Sequence, residues 1–457
     1  MEREPEIVLL PGERIVSVQR LELVEPPFLR DPLRELCALA GVERADEIGE
    51  NGPVVGARVS GANVDQPAMR LFEVVFGRDS LVVALMLEQL FPKLLEATVV
   101  HLGGLQGRTF DPRKEEEPGR IAHEIRDPDS EDEVVRRSGW GWPYYGSVDA
   151  TALYVQAAAH ALLRRPRFAA EPLADGRTVV DAFAAATDWL LARLAANGAL
   201  CHRRVHPNGL ENQVWKDSWD SYFHADGTIA SPPIASLEAQ ALAYDALLDA
   251  AALLPRRRGA AIAAAARLHD FVHRTLWVDD LDGGFYGLGA DSDPASGVLR
   301  PLAVRGSQMG WLLNSRIADG DELAGRRRRT VELLCSAEFL AAGGIRTLST
   351  REARYRPRAY HNGSVWPHDT YFCSQGFARN GFTDEAAELR RRIVEVCRRT
   401  HRYPEFVAGN DAMDSLITSR IVDVEDGLNR RHNRIEQPPQ EIVAWCVGAY
   451  CAITLTP

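Results

Sequence analysis

The chain reads as an all-α protein of successive helical hairpins closed into a double ring, and three observations predict this. Apolar residues recur with a 3.6-residue period in stretch after stretch between residues 79 and 453. Alanine and leucine dominate these stretches, which favours helix over strand. The connections alternate in character, long loops of aromatic and polar residues taking turns with short basic ones. Hairpins in a ring produce that alternation, with long loops at one end and short turns at the other. An open solenoid gives the same local pattern, but no fixed repeat period supports one.

Taken in order, residues 1–70 differ in texture from the rest. Ile7-Val8-Leu9-Leu10 and Ile15-Val16-Ser17-Val18 predict short strands, and Asp31–Ala40 a short helix. Asn51–Val64 is rich in Gly and Val and predicts a turn-containing extended segment. We take 1–70 as an N-terminal extension packed on a main domain of residues 71–457. Helical periodicity covers 79–98, 149–163, 177–196, 233–254, 258–276, 303–318, 327–341, 366–379, 384–400 and 440–453. The long loops are 103–146, 200–232, 279–302, 343–365 and 401–439. The basic runs Arg164–Arg167, Arg256–Arg258 and Arg326–Arg329 fall at helix turns and read as solvated helix ends rather than anion sites.

Composition narrows the function. With 457 residues, 46% hydrophobic and 26% charged, the chain is an ordinary globular protein. Its net charge of −11 argues against a nucleic-acid partner and for a neutral or small substrate. No apolar run reaches the length of a membrane span, about 18 residues. The start, Met1-Glu2-Arg3-Glu4-Pro5, lacks an apolar targeting core, so a cytoplasmic location is expected. The seven cysteines are scattered without CxxC spacing and read as reduced core thiols.

The loops carry the chemistry. Tyr360–Asp369 holds two histidines, a tryptophan, a proline and an aspartate, and reads as a loop entering a helix near Pro367. Flat aromatic groups beside fixed polar ones suit a sugar ring; a loop that merely plugs a helical array is the plainer alternative. Phe76–Leu81 sets Arg78 beside Asp79 at a helix start, a donor and acceptor pair matched to neighbouring hydroxyls or a simple helix cap. Trp215–Ser221 gathers Asp217, Asp220, Trp215 and Trp219, and indoles that desolvate a carboxyl keep it protonated. Glu405 follows a helix within an aromatic loop.

The strings FGRDSL (76–81), EEPGRIAHEIR (116–126), PYYGSVDATALY (143–154), WKDSWDSYFHADG (215–227), GGIRTLST (343–350), YHNGSVWPHD (360–369) and RYPEF (402–406) occur in one order. In that order they resemble bacterial amylo-α-1,6-glucosidase-like proteins, related to glycogen-debranching enzymes, within the six-hairpin glycosidases. The resemblance covers about residues 70–455. It implies an (α/α)6 barrel with a pocket at the long-loop end, and an inverting glycosidase with one carboxylic acid and one carboxylate. Inversion needs those two groups about 6.5–9.5 Å apart. The resemblance assigns the general acid to Asp220, with Asp217 as rival, and the base to Glu405. Arg78 and Asp79 match its innermost sugar site. Tyr145, Asp149, Trp366 and His368 line the pocket by the same likeness, and Trp215 and Trp219 form its walls. No metal or other cofactor is required, and Asp279–Gly284 reads as a turn because it lacks the ligand series of a calcium loop.

The resemblance also has gaps. Only about 70 residues precede FGRDSL, where relatives carry a large β-rich domain. Gln440 and Trp445 fill the positions of a QAWA-like string loosely. A carbohydrate partner is therefore expected, with no nucleic acid and no membrane, and an oligomeric state the sequence leaves open. The main expectation is an exo-acting α-glucosidase on an oligosaccharide or glycogen-like branch. One alternative is a hydrolase of a small glucosylglycerate-like glycoside, for which Arg120, Arg346 or Arg358 would supply an outer cation. The other is a non-catalytic carbohydrate-binding protein on the same scaffold.

Overall fold

The structure, a computed structural model, describes residues 29–59, 70–130, 132–410, 423–425, 431–433 and 439–455. Among these residues the chain forms thirteen α-helices. They are α1 (Pro32–Leu39), α2 (Gly77–Met86), α3 (Pro92–Gly104), α4 (Glu133–Ser138), α5 (Asp149–Arg164), α6 (Val179–Asn197) and α7 (Leu237–Leu253). The rest are α8 (Arg258–Phe271), α9 (Gln308–Asn314), α10 (Ala324–Leu334), α11 (Pro367–Arg379), α12 (Thr383–Thr400) and α13 (Ala444–Thr454).

Six helices make an inner ring. α2 packs on α5, α5 on α7, α7 on α9, α9 on α11, α11 on α13, and α13 returns to α2. That last contact closes the ring and rules out an open solenoid. Outside it, α3, α6, α8, α10 and α12 back α2, α5, α7, α9 and α11 in turn. The sixth outer position, against α13, belongs to α1. The architecture is thus an (α/α)6 toroid whose sixth hairpin joins the two ends of the chain.

Residue type explains the layers. Inner α5 buries residues on all sides, from Asp149 and Ala150 through Ala161, as a helix enclosed by neighbours must. Outer α12 buries one stripe, Ala386, Leu389, Ile393, Val396 and Cys397, and turns Arg391, Arg398 and Arg399 outward. Helix α1 starts with Asp31 accepting from the Leu33 amide at 2.9 Å and Pro32 in the first turn. It inserts Leu36 and Leu39 into the core, and buried Glu35 pairs with Arg58 at 2.6 Å. The strand Ala57–Arg58 then pairs antiparallel with Ile442–Val443, Ala57 opposite Val443, just before α13.

Two segments depart from the periodicity. The stretch 79–98 is two helices, broken before Pro92, because apolar periodicity continues through a turn between an inner and an outer helix. The loop 279–302 contains most of an antiparallel hairpin, Phe285–Ser292 with Leu299–Arg305, joined by Ile234–Ser236. Its glycines hide it from propensity, yet close approach requires them: a Cβ on Gly289 would run into the Ala235 carbonyl. The strands expected at Ile7–Leu10 and Ile15–Val18 lie outside the described residues.

The basic runs serve as helix-end and inter-helix ties: Arg257 grips Asp188 through two bonds of 2.6 Å, and Arg326 donates to the His273 carbonyl. Asp280, in the Asp-rich turn, accepts from the amides of Asp282 and Gly284 and pairs with Arg305. No helix among the described residues is long and apolar enough to cross a membrane.

Candidate active site

The starts of α2 and α13, together with the loops ahead of α4, α7, α11 and α13, line a pocket. Arg78 and Asp79 enter it from α2, Trp215 and Asp217 from the loop before α7, and Glu405 from the loop after α12. Phe72, Phe76, His123, Tyr360, His361, Trp366, Gln440 and Trp445 complete much of the wall, with Gly56 and Ala57 from the N-terminal segment. Residues 29–59 therefore do more than cover the barrel, since they close one side of its pocket.

Glu405 is 5% exposed and is held by donors on both oxygens. The Tyr360 hydroxyl donates to Oε1, and the Gln440 amide donates to Oε2 at 3.0 Å. Its loop is stitched to the Tyr360–Asp369 segment by paired amide–carbonyl bonds of 2.9 Å between Val365 and Val407. The Asp217 side chain is 29% exposed, with one oxygen 4.0 Å from His361 Nδ1. The same imidazole nitrogen lies 2.8 Å from Ser218 Oγ, so the Asp217 loop is pinned to the Tyr360 segment.

Arg78 is 3% exposed, and its Nε donates to Asp149 Oδ2 at 2.7 Å. Burial opposes the charge, but the Asp149 carboxylate, aided by Asp217 and Asp79, outweighs it and raises the guanidinium above its ordinary value. Asp79 goes the other way. Burial pushes its carboxyl up to about 7 against the pull of Arg78, and Asp217 adds to the rise. A Cβ on Gly77 would run into the Ala122 carbonyl, so only glycine lets α2 begin tight against the loop that brings His123 to the wall.

Below the pocket the lumen is polar and aromatic. Glu238 and Asp369 are fully buried in the first turns of α7 and α11, and burial raises them to about 7 and about 6. Lys216, also fully buried, lies between them electrostatically. Trp215 stacks on Trp311 with centroids 5.9 Å apart and planes within 8°. Trp311 lines a second, wider opening among the later turns of α2, α5, α7, α9 and α11, so this stack stands between the two ends of the lumen.

The residues singled out from the sequence divide into two groups. Arg78, Asp79, Asp217, Glu405, Trp215 and Trp366 meet at the pocket. Asp149 sits behind it as the partner of Arg78. Asp220 and Trp219 are not among its lining residues; the Asp220 carbonyl accepts from Asn362, and Trp219 packs under Arg354. Tyr145 donates to the Leu105 carbonyl at 2.7 Å, away from the wall. His368 is fully buried and stacked 3.9 Å from Trp445, and burial pushes its imidazole well below the ordinary value. Trp366 is 1% exposed and packs on His361 and Phe406, so it offers the pocket an edge. Of the outer cations considered, Arg120 is spent on Gln213 and the Glu115 carbonyl, and Arg346 on the Gly409 and Ala337 carbonyls. Arg358 does not line the pocket.

Comparison with known proteins agrees at the level of fold and chemistry. The family model of the mannosylglycerate hydrolase MGH1-like glycoside hydrolase domain matches residues 158–407. A search of curated proteins gives no match. Among solved structures, the GH63 mannosylglycerate hydrolase from Thermus thermophilus in complex with Tris superposes with a TM-score of 0.56 at 13% identity. That comparison covers 93% of this chain and 99% of the other. The same enzyme in complex with glucose gives 0.54 at 14% identity, over 93% and 99% of the two chains. A wild-type glycosidase gives 0.53 at 14% identity over 92% and 96%. The family match and the strings of the sequence coincide at the six-hairpin glycosidases, not at the amylo-α-1,6-glucosidase-like branch. A closed (α/α)6 toroid with carboxylates at its mouth, matched over more than half its length by this model, belongs to the mannosylglycerate hydrolase MGH1-like glycoside hydrolase family.

Proposed function

We propose that the protein hydrolyses a small glycoside, an uncharged hexose joined to a short aglycone such as a compatible-solute glycoside, with inversion at the anomeric carbon. The observation that carries this is one pocket lined by both Asp217 and Glu405. The family match supports the same reading. So does the related Thermus thermophilus mannosylglycerate hydrolase, which has been captured with glucose and with Tris and D-glycerate.

In this reading Asp217 is the general acid that protonates the leaving oxygen, and Glu405 the base that takes a proton from the attacking water. Asp217 replaces Asp220, the residue favoured by resemblance, because it lines the cavity with Glu405 and Asp220 does not. Arg78 and Asp79 hold hydroxyls of the sugar in the innermost position, with Trp215 as a wall. Tyr360 and the Gln440 amide orient Glu405 toward the water. Inversion requires the two carboxyl groups on opposite faces of the sugar with room for that water.

The test is a comparison of D217N, E405Q and D220N on a panel of small α-glycosides. D217N and E405Q are expected to lose about 10²–10⁴-fold in kcat/KM, the usual worth of a proton-transfer group, with D220N retaining most activity. Loss in D220N with D217N active would move the acid to Asp220. Activity surviving in both D217N and E405Q would end the two-carboxylate scheme.

A further inference from the structure

We infer that Lys216 is a positioning residue: a buried cation that fixes the Asp217 loop by tying it to the two loops facing it across the mouth of the barrel. Trp215 and Asp217 both line the pocket, whereas Lys216 between them is fully buried and absent from the wall. The alternation sends the middle side chain down into the lumen. There its ammonium donates to the Thr347 carbonyl at 2.5 Å.

Thr347 is a junction. Its carbonyl also accepts from the Ser307 amide at 3.2 Å, at the start of α9. Its hydroxyl accepts from the Gly363 amide at 2.9 Å and donates to the Ser364 carbonyl at 3.0 Å. Gly363 and Ser364 belong to the segment that brings Tyr360, His361 and Trp366 to the pocket. One ammonium therefore connects the loop of the proposed acid, the GGIRTLST loop and the segment that orients Glu405.

The electrostatics fit an anchor. The charged and titratable groups facing Lys216 are Asp369 and Cys373 on α11 and Glu238 on α7. Asp369 is in turn held by Trp311 Nε1 at 2.6 Å, and Glu238 by the Tyr222 hydroxyl at 2.8 Å. A buried ammonium is costly unless paired and hydrogen-bonded. Two acidic first turns of inner helices and a carbonyl supply what it needs. Burial still draws the Lys216 ammonium down to about 8.

The role in turnover rests on the glycosidase reading, but the positioning itself can be tested without it. Crystal structures of the wild type and K216M compare a charged side chain with a neutral one of similar length. The Asp217 carboxylate is expected to leave its wild-type place by about 1 Å or more while the Tyr360–Glu405 contact stays. An unmoved Asp217 overturns the proposal, whether or not any glycoside is cleaved. On a glycoside the wild type hydrolyses, K216M is expected to lose about 100-fold in kcat with KM within about threefold, the effect of a misplaced catalytic group. A change confined to KM contradicts the inference. Should K216M not fold, K216Q keeps a polar head without the charge or the full reach of the ammonium; it should lower kcat about tenfold and shift the Asp217 loop. Full kcat with an unshifted loop in K216Q overturns the inference equally.

Discussion

Asp79 shows how the pocket makes a single residue sensitive to pH. Its carboxyl is raised to about 7 by burial and by Asp217, so the folded protein holds a proton there that the unfolded chain gives up near its ordinary value of 3.8. A group raised in this way contributes stability below the unfolded value and loses it as pH rises through the folded one. D79N removes that dependence while keeping shape. Its stability to denaturation should therefore gain on the wild type's between about pH 4 and pH 7, by roughly 1.4 kcal/mol per unit of pKa shift as an upper bound. A constant difference across that range would show that Asp79 is ionised throughout. Arg78 has the opposite logic, because its charge is matched by Asp149 at 2.7 Å. The two neighbours in one motif thus differ: Arg78 is a fixed cation, and Asp79 an acid that can donate or accept near neutrality.

At the scale of elements, α1 is the piece whose importance is easiest to overlook. It occupies the sixth outer position and buries Leu36 at 0% and Leu39 at 1% exposure against the last hairpin. L36A is expected to cost about 2–5 kcal/mol, as a cavity in a closed core does. Chemical denaturation measures it, and a loss under about 0.5 kcal/mol would mean that α1 is only a loose cover. The elements also show what was legible. Loops dense in aromatic and charged residues stood out, so Arg78, Asp79, Trp215, Asp217, Trp366 and Glu405 could be named before any fold was known. Asp217 and Asp220 could not be ranked by spacing, since an irregular loop has no period to tell which side chain faces the pocket. Gly56, Ala57, Phe72 and His123 went unnoticed as wall residues. Their type is ordinary, and only the pairing of Ala57–Arg58 with Ile442–Val443 and of Val75–Phe76 with Glu124–Ile125 brings them there. The hairpin at Phe285–Arg305 was hidden because its glycines obey close packing rather than strand propensity.

Across the whole molecule, the closed ring explains why one mouth can hold so many buried charges. Inner helices α2, α5, α7 and α11 each place an acidic residue in the first turn, Asp79, Asp149, Glu238 and Asp369, where the helix dipole favours negative charge. Arg78 and Lys216 answer them from within the same lumen, and the Trp215–Trp311 stack closes it below. The ring holds the loops above these charges in one arrangement, and that arrangement puts Asp217 and Glu405 in one cavity. Proton NMR of the first product released from a small α-glycoside by the wild-type protein tests this most directly. The account predicts that the β-anomer of the sugar appears first and then mutarotates, as attack by a Glu405-activated water requires. Initial release of the α-anomer, or no cleavage of any small α-glycoside, would contradict it.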